Sequence, residues 1–466
     1  MPNTMRDLLL GDTIAAPATA AGMAALALIR VSGPQAFSVA GQLLKRKREF
    51  DQLPSHRQIF ASLRGTGGQD QLIDRVLVSK FIAPHSYTGE DVVEISCHGS
   101  PYIVQQILKR LCEAGARPAQ PGEFTRRAFI NGKIDLVQAE AIDDLIRAQT
   151  AAEHRLSLQN LQGWLSRDLH HLRDDLKEQC ALLEVELDFS EDVEFVDRSK
   201  LKINIEALRA KISRLMSGYQ HGRLLAEGIA TAILGRPNVG KSSLLNQFLQ
   251  HDRAIVSEFP GTTRDTLEEQ IDLGGVHFRL IDTAGIRHSD DPVEKIGIER
   301  ATSAMENADL WLVVVDGSQT LDSDDRRLLQ AAEQRLDRAI AVFNKSDISL
   351  MPENRQTLQA LPLPALSISA QTGQNMDLLK QAMLAWAPSL AVLREEPLIS
   401  KIRHLHALRD CQTALQNAEQ SVESRLSGEF IAFDLRQALD ALGRLTGEVT
   451  SEEILHDIFS RFCIGK

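Results

Sequence analysis

The 466-residue chain has no excess of positive charge: 52 Lys and Arg stand against 63 Asp and Glu, a net charge of −11 at pH 7. That balance excludes a broad basic field of the kind that binds nucleic acid unaided, so any RNA contact is local or supplied by a partner. Cysteine is scarce too, and the five residues (Cys97, Cys112, Cys180, Cys411, Cys463) show no C-x-x-C spacing. This argues against a disulfide framework or a zinc ribbon and for reduced thiols in the cytoplasm. Nor does any apolar run reach the roughly 18 residues of a membrane span. The Ala-rich stretch 13–29 lacks a positive cluster ahead of it and is followed by Arg30-Val31-Ser32-Gly33-Pro34 instead of small cleavage-site residues, so it does not read as a signal peptide.

What is present is ordinary for a soluble protein, with 43% hydrophobic and 25% charged residues. The length suits about three domains.

The chemistry starts at Gly235-Arg236-Pro237-Asn238-Val239-Gly240-Lys241-Ser242, which fills the G-x-x-x-x-G-K-[ST] pattern after an apolar run at 228–234 and before a helical stretch at 243–249. Such a loop turns backbone N–H groups towards phosphates at a helix N-terminus. Lys241 adds charge for the outer phosphates and the Ser242 hydroxyl is a Mg²⁺ ligand.

Strand-like runs at 276–281, 310–315, 339–343 and 365–369 alternate with helical patterns, the sequence form of a doubly wound α/β sheet with its ligand at the strand C-terminal ends. Asp282-Thr283-Ala284-Gly285 follows one strand, where Asp282 can join the Mg²⁺ shell and Gly285 can approach a γ-phosphate. Asn344-Lys345-Ser346-Asp347 follows another. A carboxylate there accepts from the N1–H and exocyclic N2 of guanine, a donor pair adenine lacks, so Asp347 reads the base and Asn344 braces the loop. Ser369-Ala370-Gln371-Thr372 is placed to offer a backbone N–H to the guanine oxygen, and Gly261-Thr262-Thr263-Arg264-Asp265 lies where a threonine closes over Mg²⁺. Ile286 stands where many GTPases carry a water-orienting Gln, so another side chain must place the nucleophile. The amide oxygen of Asn238 can face a monovalent cation, and K⁺ would supply the charge otherwise given by an arginine finger.

The flanks differ. Residues 13–129 mix strand-like runs (25–31, 76–82, 92–96) with a helical pattern at 103–114, an α+β signature. Three stretches there stand out: Ala27-Leu28-Ile29-Arg30, Tyr87 to Glu94, and Pro121-Gly122-Glu123-Phe124-Thr125. Taken singly, each reads as charge solvated at a strand or loop end. From about 132, Leu158, Leu161, Leu165, Leu169, Leu172, Leu176, Leu183 and Leu187 fall on one helical stripe. An acidic group follows (Asp188, Glu191, Asp192, Glu194, Asp197) and reads as a solvated turn, for it has no EF-hand spacing. A second helical block spans 400–462, with Ile402, Leu405, Leu408 and Leu415 as apolar positions. The two blocks are expected to pack as one domain with the P-loop domain inserted between them.

With this motif order and the closing Phe462-Cys463-Ile464-Gly465-Lys466, the chain resembles the tRNA modification GTPases of the MnmE (TrmE) family from residue 13 to 466. A prenylation box is a poorer reading of the last four residues, since Gly465 is not aliphatic and Lys466 is atypical. The resemblance implies an N-terminal α+β domain for dimerisation and tetrahydrofolate binding (1–130), a discontinuous α-helical domain (131–222 and 390–466) and an inserted Ras-like G domain (223–389). It implies a homodimer and a heterotetramer or larger complex with the FAD-dependent protein MnmG (GidA), acting on tRNA in the cytoplasm with no membrane involved. Together the two proteins would add a carboxymethylaminomethyl or aminomethyl group to C5 of the wobble uridine, with 5,10-methylene- or 5-formyl-tetrahydrofolate as carbon source and FAD held by the partner.

By position, the resemblance places GTP against Asn238, Val239, Gly240, Lys241, Ser242 and Ser243, then against Ser257, Glu258, Phe259, Pro260, Gly261, Thr262 and Thr263. Asp282, Thr283, Ala284 and Gly285 follow, with Asn344, Lys345, Asp347, Ser369 and Ala370 around the base. Ser242 and Thr263 would hold Mg²⁺, with Asp282 acting through water; Asn238, Ser257, Thr262 and the backbone of Phe259 would hold K⁺. Ser257 departs from the family's threonine but keeps the hydroxyl. Lys241, Thr263 and Glu294 would be catalytic, Glu294 positioning the attacking water; a helix-start carboxylate is the other reading of Glu294. Arg30, Glu94, Lys133 and Lys466 match the folate site, and Cys463 is a nucleophile or acid candidate whose role stays open. The alternative function is a ribosome-assembly or signalling GTPase that works only as a binding switch. It would be expected to carry an RNA module such as a KH domain, where this chain has helical, acidic flanks.

Overall fold

The computed structural model describes residues 11–65, 72–189, 196–252, 268–282, 307–391 and 397–466. They divide into two compact units, one of Met1–Asp143, Leu161–Ile205 and Asp410–Lys466, the other of Asp144–Asn160 and Glu206–Arg409.

The first unit holds a six-stranded sheet built from β1 (Ile14–Pro17), β2 (Ala24–Ser32), β3 (Arg57–Arg64), β4 (Leu72–Phe81), β5 (Val92–Gly99) and β6 (Arg117–Pro118) in the order β3-β4-β5-β2-β1-β6. Its pairs are antiparallel except β1 with β6. Burial alternates along β4, as a sheet with one covered face requires. Ile107 and Leu111 of helix Pro101–Glu113, one turn apart, join the core with Val31, Val78 and Ile95.

Helix Trp164–Phe189 of the same unit packs against helix Gly428–Thr446, so the two expected helical blocks do meet. Arg436 of one is bonded to Glu184 of the other at 2.7 Å. The leucine stripe does not lie on a single helix. One helix, Ala151–Leu161, stops and the next begins at Trp164, because Gly163 between them takes a φ of +78° that ends a right-handed helix. Only Leu165, Leu169, Leu172, Leu176 and Leu183 of the stripe are fully buried. Ile402, expected as a core position, is 52% exposed at the start of helix Ile402–Glu423.

The second unit is the α/β body. Strands β7 (Ile229–Leu234), β8 (Glu268–Leu273), β9 (Val276–Asp282), β10 (Leu310–Asp316), β11 (Ala339–Asn344) and β12 (Ala365–Ser367) form a sheet ordered β12-β11-β10-β7-β9-β8. All neighbours are parallel except the edge pair β8 and β9. Every residue of β7, β10 and β11 is buried, which is why those runs read as continuously apolar. Helices Lys241–Asp252, Ser323–Glu333, Pro352–Ala360 and Met376–Trp386 accompany the sheet. Among the described residues no helix is long and apolar enough to cross a membrane, and no disulfide is formed.

Candidate functional site

The loop 235–240 connects β7 to helix Lys241–Asp252, with the first turn of the helix opening at Ser242 and Ser243, both exposed. Its backbone is held in a conformation few side chains tolerate: Asn238 has φ +65° and Gly240 +100°. A Cβ at Gly240 would lie 2.2 Å from Asn344 Nδ2. Lys241 is buried, and its Nζ donates to the carbonyls of Gly235 (2.6 Å) and Arg236 (2.8 Å), curling the ammonium over the loop. The loop thus leads into a helix N-terminus with one ammonium beside it, the setting that favours a phosphate chain.

Behind this loop, the Asn344 carboxamide donates to the Val239 carbonyl at 2.8 Å and accepts from the Ala370 N–H at 2.9 Å. Asn344 thus braces the loops as its sequence position suggests, and it takes the Ala370 N–H for itself. Lys345 has φ +68°, and its Nζ reaches Asp316 Oδ2 at 2.7 Å. Burial works to raise the Asp316 pKa, but the bonds from Lys345 and Ser318 outweigh it and hold the carboxyl below its ordinary value. Asp347 stands exposed three residues after Asn344. Ser369 is buried and its hydroxyl accepts from the Thr372 N–H at 3.1 Å.

The sequence gives no notice of Asp316 or of the partners of Arg236. The Arg236 guanidinium bonds Asp322 and, at 2.8 Å from its Nε, Asp325. Those two carboxylates also form the capping box of helix Ser323–Glu333. The signal was there in Asp322-Ser323-Asp324-Asp325, but nothing in the chain says that it faces a residue 86 positions earlier.

Ser257, Glu258, Phe259, Pro260, Gly261, Thr262, Thr263, Thr283, Ala284, Gly285 and Glu294 lie outside the described residues, as do Glu191, Asp192 and Glu194 of the acidic group. Asp282 is the last residue of β9.

A second cluster forms in the first unit. Arg30 on β2 sits directly opposite Glu94 on β5, with Arg30 Nε 2.9 Å from Glu94 Oε1. The guanidinium lies over the rings of Tyr87 (4.9 Å) and Phe124 (5.7 Å). Its third contact is the Gly465 carbonyl, at 3.4 Å. Hence the three odd stretches of the N-terminal region converge on one place and are not solvated ends: the Arg30 side chain is only 11% exposed.

Gly465 has φ +99°, and a Cβ there would stand 2.0 Å from the Pro17 carbonyl at the end of β1. The Phe124 N–H donates to the main-chain oxygen of Lys466 at 3.2 Å. Burial, then the Arg30 charge, push the Lys466 ammonium below its ordinary pKa, against the pull of Glu94. Lys133 packs on the loop that carries Tyr87, its Nζ donating to the Pro84 carbonyl at 3.1 Å and its stem against Gly89. Cys463 is exposed.

Under this cluster lies a charge network without any sequence pattern. Arg127, 1% exposed, bonds Asp12 (2.6 Å), Glu90 (3.1 Å) and Glu123 (3.0 Å), while Arg117 bonds Glu123 and Asp12. It locks the loop of Tyr87 and the helix of Phe124 beneath Arg30.

Comparison with known proteins supplies the family. Residues 13–133 match the family model described as GTP-binding protein TrmE N-terminus, and residues 136–463 match the MnmE helical domain. The chain is 44% identical over 467 residues to the tRNA modification GTPase MnmE of Chlorobium phaeobacteroides, covering 98% of this chain and 97% of that protein. It is 42% identical over 458 residues to the protein of the same name from Natranaerobius thermophilus, covering 98% and 99%. Among solved structures, Aquifex aeolicus Era bound to GDP and AlF4⁻ is 29% identical over 40% of this chain and 65% of its own, with a TM-score of 0.28. A P-loop braced by Asn344 and a Gly465 seated against β1 thus occur in a sequence that matches its relatives over 98% of its length: the chain belongs to the MnmE (TrmE) family of tRNA modification GTPases.

Proposed function

We propose that GTP hydrolysis by this chain depends on K⁺ and serves a two-protein reaction that adds a carboxymethylaminomethyl or aminomethyl group to C5 of the wobble uridine of tRNA. The FAD-dependent MnmG (GidA) is the second protein, and the chain itself works in the cytoplasm as a homodimer. The observation that carries this reading is the pairing of Arg30 with Glu94 beside Gly465 and Lys466, in the same chain as the P-loop and the Asn344 brace. The first cluster suits 5-formyl- or 5,10-methylene-tetrahydrofolate. Arg30 and Lys466 attract the anionic glutamate tail, and the Glu94 carboxylate accepts from pterin N–H groups.

In the nucleotide site the Ser242 hydroxyl, exposed at the helix start, is suited to Mg²⁺ together with Thr263, with Asp282 acting through water. The left-handed Asn238 would hold K⁺ with Ser257, Thr262 and the Phe259 carbonyl. That ion supplies positive charge beside the phosphates when bound. Lys241 releases the carbonyls of Gly235 and Arg236 to meet the outer phosphates, and Glu294 orients the attacking water.

The experiment is mass spectrometry of wobble uridines in cells whose own copy is replaced by the wild type, by Arg30→Ala or by Lys466→Ala. Both variants should lose the C5 group and lose 5-formyltetrahydrofolate binding while still hydrolysing GTP. Normal uridines in both would leave a GTPase acting only as a binding switch. Equal GTP turnover in Na⁺ and K⁺ would remove the ion from the proposal.

A further inference from the structure

We infer that Glu153, a residue of the helix Ala151–Leu161 that precedes the nucleotide-binding body, positions the GTPase site through His277 on β9. Glu153 Oε1 lies 3.1 Å from His277 Nδ1, and both residues are buried at 9% and 7% exposure. The other carboxylate oxygen, Oε2, accepts from the Gln149 N–H at 2.6 Å, and the Glu153 N–H donates to Thr150 Oγ1 at 3.3 Å. The carboxylate is therefore fixed before it meets the histidine. Burial works to raise its pKa, but the bonds from His277 and Gln149 prevail, so it is held ionised as a partner for the ring.

A backbone bond runs beside this one, from the Ala152 N–H to the Gly275 carbonyl at 3.0 Å. Gly275 is in the tight turn between β8 and β9, and a Cβ added there would come within 3.1 Å of the Ala151 Cβ. Ala152 and Leu156 are members of the core that contains Phe278 and Leu280 of β9 and Ile229 and Ile233 of β7. The start of β9 is thus held at two places by the helix. His277 Nε2 has no partner among the described residues, so the ring is held through its Nδ1 by Glu153.

From His277, β9 runs five residues to Asp282, about 16 Å at the usual rise. It is paired along the way with β7, the strand that enters the phosphate loop: Ile229 opposes Phe278 and Ile233 opposes Asp282. A strand held at its start and zipped to its neighbour delivers its last residue at a fixed height beside the phosphates. The inference rests on the reading of Asp282 as part of the Mg²⁺ shell. Nucleotide affinity, by contrast, depends on the phosphate loop and on Asn344 and Asp347, which this anchor does not touch. Its effect belongs to the chemical step.

The test is GTP turnover by the full-length protein carrying Glu153→Ala, Glu153→Gln, Leu156→Ala or Asp282→Ala. Glu153→Ala should lower kcat about tenfold with KM within about twofold. Glu153→Gln, which keeps an oxygen for His277, should restore most of kcat. Leu156→Ala, a loss of packing in the same core, should lower stability and spare kcat. Adding His277→Ala to Glu153→Ala should cause no further fall, since the two act as one unit. Unchanged kcat in Glu153→Ala, or an equal fall in Leu156→Ala, would overturn the inference while an inactive Asp282→Ala left the reading of Asp282 standing. A fully active Asp282→Ala would overturn both. Should Glu153→Ala fail to fold, His277→Gln takes its place with the same expected fall in kcat at constant KM.

Discussion

Asn344 donates a hydrogen bond to the Val239 carbonyl at 2.8 Å, so the segment at the end of β11 is tied to the loop 235–240. Asn344→Ala leaves that carbonyl and the Ala370 N–H without partners in a buried place, which costs about 1–3 kcal/mol. Thermal unfolding should show a lower midpoint, and titration with a fluorescent GDP should show weaker binding. A variant with wild-type affinity would mean that the brace is dispensable.

Asp347 stands exposed at the end of the same segment. Guanine offers it two N–H donors, whereas xanthine offers one donor and one carbonyl, which an amide matches and a carboxylate does not. Asp347→Asn should lower GTP affinity by about a hundredfold and raise that for xanthosine triphosphate. Competition binding with the two nucleotides measures it; an unchanged preference would place base reading elsewhere.

Gly465 has no room for a side chain against Pro17. Gly465→Ala must lift the chain end from β1 and withdraw the carbonyl that meets Arg30. Calorimetry with 5-formyltetrahydrofolate should register a loss of about tenfold or more, equal to about 1.4 kcal/mol. GTP turnover by the isolated protein should stay as it was.

The Lys345 ammonium keeps Asp316 titrating below the ordinary carboxylate range. A carboxyl with a lowered folded pKa adds stability that is present above its unfolded value of about 3.9 and is lost as pH falls through the folded one. Asp316→Asn should therefore cost stability near neutrality and flatten its dependence on pH below about 4. Urea unfolding across that range is the measurement; parallel curves for variant and wild type would show that the pair carries no linkage.

Much of the α/β body was legible because β7, β10 and β11 are buried on both faces and so leave continuous apolar runs. Strand β8 was not, for Glu268-Glu269-Gln270-Ile271-Asp272-Leu273 is an edge strand in which, from 269 to 273, only Ile271 and Leu273 are buried. The leucine stripe misled at Gly163, where periodicity continues across a break that only the glycine signals. The motifs at 235–242 and 344–347 could be picked out since their residues are consecutive. The Arg127 network was unreadable for the opposite reason: its partners Asp12, Glu90 and Glu123 come from three separate segments and obey no spacing.

Arg30 and the Gly465 carbonyl it touches are 435 positions apart. During synthesis a nascent chain therefore possesses its whole phosphate loop long before the other half of the Arg30 cluster has been made. The cluster therefore closes after the phosphate loop exists, never ahead of it.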